Sequence, residues 1–211
     1  VIVSQLIIGK EITMYTVYTI PGSCSSGIVV LLEKLGVDYT PIKREDVPDY
    51  QQIVPTNQVP ALKTPEGQII TEGAAIVLYL LEKHQSDILP SNLEEKAEFH
   101  RWLMFNYATL HAAYGRMFAI HYRLNVSQEE KEKILPQLAG AVSGLWKILD
   151  KKLEGSKFIT GNQPTIVDYL ATVYASWNHN FSEITISLGE NVHRMIGEVS
   201  ELPEFSAGYS R

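Results

Sequence analysis

Hydrophobic positions divide the chain into two halves with different periods. From Tyr15 to about Lys83 short apolar runs alternate with short helical stretches. TVYTI, residues 16–20, reads as a strand. Ile28, Leu31, Leu32 and Leu35 then fall at i, i+3, i+4 and i+7, one face of a helix, and Gly36 supplies its C-terminal stop. VDYTPI reads as a second strand, with Pro41 placing it at a sheet edge. PALKT and GQII, joined through Pro65-Glu66-Gly67, predict an antiparallel hairpin. A helix over Gly73 to Lys83 puts Val77, Leu80 and Leu81 on one side. Past Pro90-Ser91-Asn92 the strand patterns vanish, and helical patterns run from Glu94 to Arg123 and from about Ile134 to Leu153. The reading is α/β plus all-α: an N-terminal domain over 14–86 and a helical domain over 93–211.

Helix starts are marked in the second half. Ser127-Gln-Glu-Glu130 and Thr165-Ile-Val-Asp168 both fit capping boxes, in which side chains satisfy the free N–H groups of a first turn. Capping accounts for Asp168 without a catalytic role. Pro136 is expected to begin or kink the helix that follows it. Residues 1–13 are apolar but lack a basic leader and a small-residue cleavage site, so they are read as an extension rather than an export signal. Two origins fit: an upstream start with Met14 as a second start, or an added edge strand.

Composition narrows the function. With 211 residues, 45% of them hydrophobic, the chain can bury a substantial core. One cysteine excludes an internal disulfide and a cysteine zinc cluster, which suits a reducing, cytoplasmic setting. A formal charge of -6 argues against a nucleic-acid backbone as partner. Apolar stretches such as Ala74 to Leu81 fall short of the roughly 20 residues needed to span a membrane.

The candidate chemistry begins at PGSCSSGI, residues 21–28, where Cys24 stands between a strand and a helix. That position sets the thiol beside the positive end of the helix and favours a thiolate. A small buried core residue is the competing reading, because free cysteine often serves as one. The same helix start can instead stabilise the thiolate of a bound ligand. Val59-Pro60-Ala61 opens a strand, and a cis Val59–Pro60 bond would turn the Val59 N–H and C=O outward to pair with a peptide-like ligand. At Thr71-Glu72-Gly73 a helix start can hold a carboxylate, with Glu72 facing an amino group. Together these suggest a site for a small zwitterionic peptide.

YTIPGSCSSG, NQVPAL and TEGAAIVLYL, followed by RWLMFNYATLHAAYG and GNQPTIVDYL, resemble the cytosolic glutathione transferases, most closely the bacterial beta class. The resemblance spans residues 14 to 205. It implies a thioredoxin-like N-terminal domain, a helical-bundle C-terminal domain and a homodimer that conjugates glutathione, as cosubstrate and without a metal, to small hydrophobic electrophiles in detoxification. Cys24 matches the beta-class cysteine that faces the glutathione sulfur and exchanges disulfides with it. Tyr18 and Ser25 match its neighbours in the active site, and His111 matches a histidine reaching in from the helical domain. Gln58, Val59 and Pro60 match the loop that pairs with the cysteinyl backbone, Pro60 being the family's cis-proline. Glu72 and Gly73 match the pair holding the γ-glutamyl end.

The chain also departs from the family pattern. One extra residue separates Tyr18 from Pro21, Ala112 replaces a lysine, and Met104 stands where an asparagine is expected. Lys43 and Arg44 are then the candidates for the glycyl carboxylate. Tyr107, Tyr114, Phe118 and Trp177, aromatics at helical spacing, are candidates either for an apolar electrophile pocket or for the core. Two other roles compete: glutathione-dependent isomerisation or dehalogenation, and a non-enzymatic interaction module.

Overall fold

The structure, a computed structural model, describes residues 14–209. The extension over 1–13 lies outside them. Strands β1 (Tyr15–Thr19), β2 (Tyr39–Lys43), β3 (Ala61–Lys63) and β4 (Ile69–Thr71) form one sheet in the order β2-β1-β3-β4. β1 is parallel to β2 and antiparallel to β3, and β3–β4 is the expected hairpin. Pro41 therefore lies on an edge strand, as its sequence position predicts.

Helix α1 (Ser25–Leu35) follows β1 and ends at Gly36, whose left-handed φ of 62° lets its N–H cap the last carbonyls. α1 is buried on every side over Ser25 to Leu32, because it packs against the sheet and also against the helical half. α2 (Gly73–Lys83) packs on α1 and on β3 and β4. Strand alternation sends Tyr15 and Val17 into this shared core, with Leu62 from β3. Tyr18 and Ala61 point to the other face, into a small cluster with Tyr50 and Val54.

The helical half starts at α3 (Leu93–Met104), capped by Asn92, whose side chain accepts from the N–H groups of Glu94 and Glu95. α3 continues through a π turn, Phe105–Leu110, into α4 (His111–Phe118) and a second π turn, Ala119–Arg123. The predicted helical stretch to Arg123 is thus continuous, but widened at two places. α5 (Gln128–Lys152) begins at the Ser127–Glu130 capping box. Pro136 does not begin it: the residue lies inside α5 on an exposed face, where water can serve the carbonyl its ring leaves free. α6 (Ile166–Ser176), a 3-10 turn at Trp177–Phe181, α7 (Glu190–Ser200) and α8 (Pro203–Tyr209) complete the half. Asp168 closes its capping box with Thr165 and also accepts from Ile159 N–H at 2.8 Å. No helix among the described residues is long and apolar enough to cross a membrane.

Candidate active site

The turn between β1 and α1 is tied by serines. Ser25 Oγ accepts from Ile20 N–H at 3.1 Å and also bonds Ile20 O at 3.2 Å and Ser23 Oγ at 2.7 Å. Ser26 Oγ accepts from Gly22 N–H at 3.1 Å. From the helical half, Trp177 Nε1 donates to Gly22 O at 2.7 Å. Ser25 is thus fully buried and committed to the turn, and the hydroxyl that faces the Cys24 thiol is that of Ser23.

Cys24 sits at the N-cap of α1 and is 6% exposed. Its Sγ donates to Val59 O at 3.6 Å. Burial pushes the thiol up to about 12, although the N–H groups of Cys24 and Ser25 and the Ser23 hydroxyl pull the other way. That rise, from an ordinary 9, is worth about 4 kcal/mol. A helix dipole offers about 2 kcal/mol at best, so desolvation wins. Of the two readings open for Cys24, burial favours the neutral, core-like thiol over the thiolate.

The facing loop is shaped by its own polar contacts. Asn57 adopts a left-handed φ of 58°, and Val59–Pro60 is cis. Tyr50 OH donates to Gln58 O at 3.0 Å, and Arg44 Nε donates to Asn57 Oδ1 at 3.0 Å. Further along, Glu72 is exposed at φ +64°, immediately before α2. Gly73 is covered by the Tyr107 ring so closely that an added Cβ would overlap it.

These elements enclose a cavity of about 830 Å³. One wall is Ile20 to Cys24, a second is Thr56 to Val59 with Arg44, and the third is His111, Gly115, Phe118, Arg123, Trp177, His179 and Asn180. Burial and the Arg123 charge hold the His111 imidazole below its ordinary value, so it is neutral at pH 7. Its ring meets those of Trp177 and Tyr174 edge-on, at 5.5 and 5.6 Å.

Of the expected residues, Cys24, Gln58, Val59, His111, Phe118, Trp177 and Arg44 line this cavity. Pro60, Glu72 and Gly73 border the loop and the α2 start outside its lining. Tyr18 does not join it, because strand parity turns its ring onto Tyr50, with centroids 5.4 Å apart. Tyr114 belongs to the core, accepting from Trp146 Nε1 at 2.8 Å and donating to Asn178 Oδ1 at 2.6 Å. Tyr107 lies behind Cys24 with its hydroxyl buried and unpartnered. Arg123, His179 and Asn180 were not anticipated.

The chain matches known proteins over nearly its full length. The family model "Glutathione S-transferase, N-terminal domain" matches residues 22–83, and "Glutathione S-transferase, C-terminal domain" matches 107–203. Glutathione S-transferase Y-2 of Pichia kudriavzevii is 32% identical over 199 residues, covering 90% of this chain and 97% of that one. The chain belongs to the glutathione S-transferase family. GstA of Escherichia coli O157:H7 is 27% identical, covering 87% of this chain and 92% of its own. Among solved structures, the beta-class glutathione S-transferase of Sphingomonas chungbukensis superposes with a TM-score of 0.78 at 24% identity, over 92% of this chain and 96% of that one. A homologue from Lodderomyces elongisporus, solved with two glutathione molecules per subunit, gives 0.79 at 18% identity, over 92% and 97%. The fold is accordingly that of a glutathione S-transferase, a thioredoxin-like N-terminal half followed by a helical one.

Proposed function

We propose that this chain transfers glutathione to small hydrophobic electrophiles. The observation that carries the reading is the cavity between the β1–α1 turn and the Gln58–Val59 loop, with Cys24 at its base and Arg44 on its wall. Val59 presents its backbone to the cysteinyl unit, Glu72 and Gly73 take the γ-glutamyl end, and Arg44 takes the glycyl carboxylate. Arg44 is favoured over Lys43, which is exposed and absent from the lining.

The glutathione sulfur then faces Cys24. A neutral thiol there does not repel a glutathione thiolate, and its one S–H, which donates to Val59 O in the free protein, can turn to the ligand sulfur instead. The ligand thiol loses its proton, with the neutral His111 imidazole as an acceptor in the same cavity. Its sulfur bonds to the electrophilic carbon, and the leaving group departs with the bonding pair. Phe118 and Trp177 seat the electrophile. Disulfide exchange through Cys24 is a secondary activity, slow at neutral pH because so little thiolate is present.

The same reading takes 14–86 and 93–211 as the two domains of a cytoplasmic, homodimeric enzyme of detoxification. Isothermal titration with glutathione and conjugation of a chlorodinitrobenzene, on wild type and Cys24→Ala, test it. Micromolar to millimolar glutathione binding with conjugation retained in the variant is expected; no binding at millimolar glutathione returns the chain to a non-enzymatic module.

A further inference from the structure

Among the described residues, Arg44, Arg123, His111 and His179 line the cavity and no Asp or Glu does, in a chain of formal charge -6. The two arginines come from different walls. Arg44 is held on the loop side by Asn57 and lies over the Tyr50 ring at 5.9 Å. Arg123 comes from the π turn after α4, close enough to bias His111. Among the described residues Arg123 has no ion-pair partner.

Glutathione held at Gln58–Val59, on which this inference rests, brings its glycyl carboxylate to Arg44. Its other carboxylate belongs to the γ-glutamyl end, at Glu72 and Gly73. Arg123 and His179 are then left on the helical wall that also carries Phe118 and Trp177, the wall given to the electrophile in the proposed function. His179 Nδ1 is bonded to Ser176 O, which anchors the ring on this wall. A pocket for purely apolar compounds has no use for an unpaired guanidinium, whereas a flat ring bearing an anion satisfies both parts of the wall.

We infer that the electrophile is an aromatic compound carrying a carboxylate, its ring on Phe118 and Trp177 and its anion on Arg123. Transfer itself is unchanged: the glutathione sulfur bonds to the ring carbon, the halide or equivalent leaves with its electron pair, and the carboxylate takes no part. Arg123 is a specificity-determining residue. Because its side chain is exposed, the preference should be moderate and weakened by salt.

The test uses two unreactive rings, 3,5-dinitrobenzoate and 1,3-dinitrobenzene, titrated calorimetrically into the full-length protein. Wild type should bind the benzoate about tenfold more tightly, a difference of about 1.4 kcal/mol. Arg123→Gln should bind the two alike while holding the neutral ring as wild type does, and Arg44→Gln should keep the preference. Equal affinity in wild type, no binding of either ring at millimolar concentration, or a preference that survives Arg123→Gln overturns the inference. So does a preference lost only in Arg44→Gln. Glutathione is titrated in parallel: a protein that prefers the benzoate but does not bind glutathione refutes the transferase reading and leaves an anion-selective pocket.

Discussion

The Cys24 thiol and the Val59 carbonyl oxygen face one another across 3.6 Å, joining the start of α1 to the cis Val59–Pro60 loop. A carbonyl oxygen has two lone pairs, so the thiol occupies one and leaves the other for a ligand amide. With burial pushing it up to about 12, Cys24 enters the site as a hydrogen-bond donor. The thiolate is accordingly a minor form at neutral pH.

Alkylation of Cys24 by iodoacetamide is therefore expected to be slow at neutral pH and to rise about tenfold per pH unit, without a plateau below pH 10. Mass spectrometry of the intact protein over pH 7 to 10 follows it, the chain having no other cysteine. A plateau near pH 8 would show an exposed, ordinary thiol. Conjugation by Cys24→Ala should stay within about tenfold of wild type, since a neutral donor of this kind contributes about 1 kcal/mol.

Gly73 and Tyr107 are packed too closely for any side chain at position 73. Gly73→Ala should destabilise the protein by about 2 kcal/mol, the usual cost of overpacking a buried contact. That corresponds to a fall of roughly 6 °C in Tm for a chain of this size. The same substitution made on Tyr107→Ala should cost little, because the clash has lost its partner. A cost that is equal in both backgrounds, measured by thermal or urea unfolding, rules out the contact as the cause.

How far this architecture could be read in the sequence depends on which signal each feature leaves. Gly36 after the Ile28–Leu35 face, the Pro65-Glu66-Gly67 turn and both capping boxes are local chemistry, so they were legible one segment at a time. Tyr18 was not: Val17 and Tyr18 are both apolar neighbours, and only the structure shows which faces α1. Ser25 reads as polar and available until its three bonds inside the turn are seen. The π turns at Phe105–Leu110 and Ala119–Arg123 leave the apolar spacing nearly helical, so no period marks them. Arg123 and His179 converge from separate helices, and nothing in their local sequence announces a shared wall.

Arg44 is held on the loop by its bond to Asn57, and in the proposed function it takes the glycyl carboxylate of glutathione. Arg44→Ala should raise KM for glutathione about tenfold, the scale of one charged hydrogen bond at a partly exposed site. The change in kcat should be smaller, because the glycyl carboxylate is bound alike before and during transfer. Initial-rate kinetics with glutathione varied separates the two parameters. A KM within about twofold of wild type would remove Arg44 from the binding site.

Asp168 carries a pH dependence of its own. Its carboxyl is fully buried and accepts from Ile159 N–H, Thr165 N–H and the Thr165 hydroxyl at 2.8, 2.9 and 3.1 Å. Burial still pushes it up, from an ordinary 3.8 to about 6, with those donors opposing the rise. Between pH 4 and 6 the folded state then keeps a proton that the unfolded chain has released, so unfolding releases protons and stability falls as pH rises through this window. The contribution is fully present below pH 4 and gone above about pH 6, on the order of 3 kcal/mol in all. Glu66, Glu98, Glu130, Glu198 and Glu204, all held below their ordinary values, act in the opposite sense and mask it in the total. The difference between wild type and Asp168→Asn isolates it. The variant should be less stable throughout, having one acceptor oxygen where three donors converge, but its deficit should shrink as pH rises from 4 to 6. Urea midpoints at half-unit intervals measure this, and a deficit that grows over that window would show that Asp168 folds as a carboxylate.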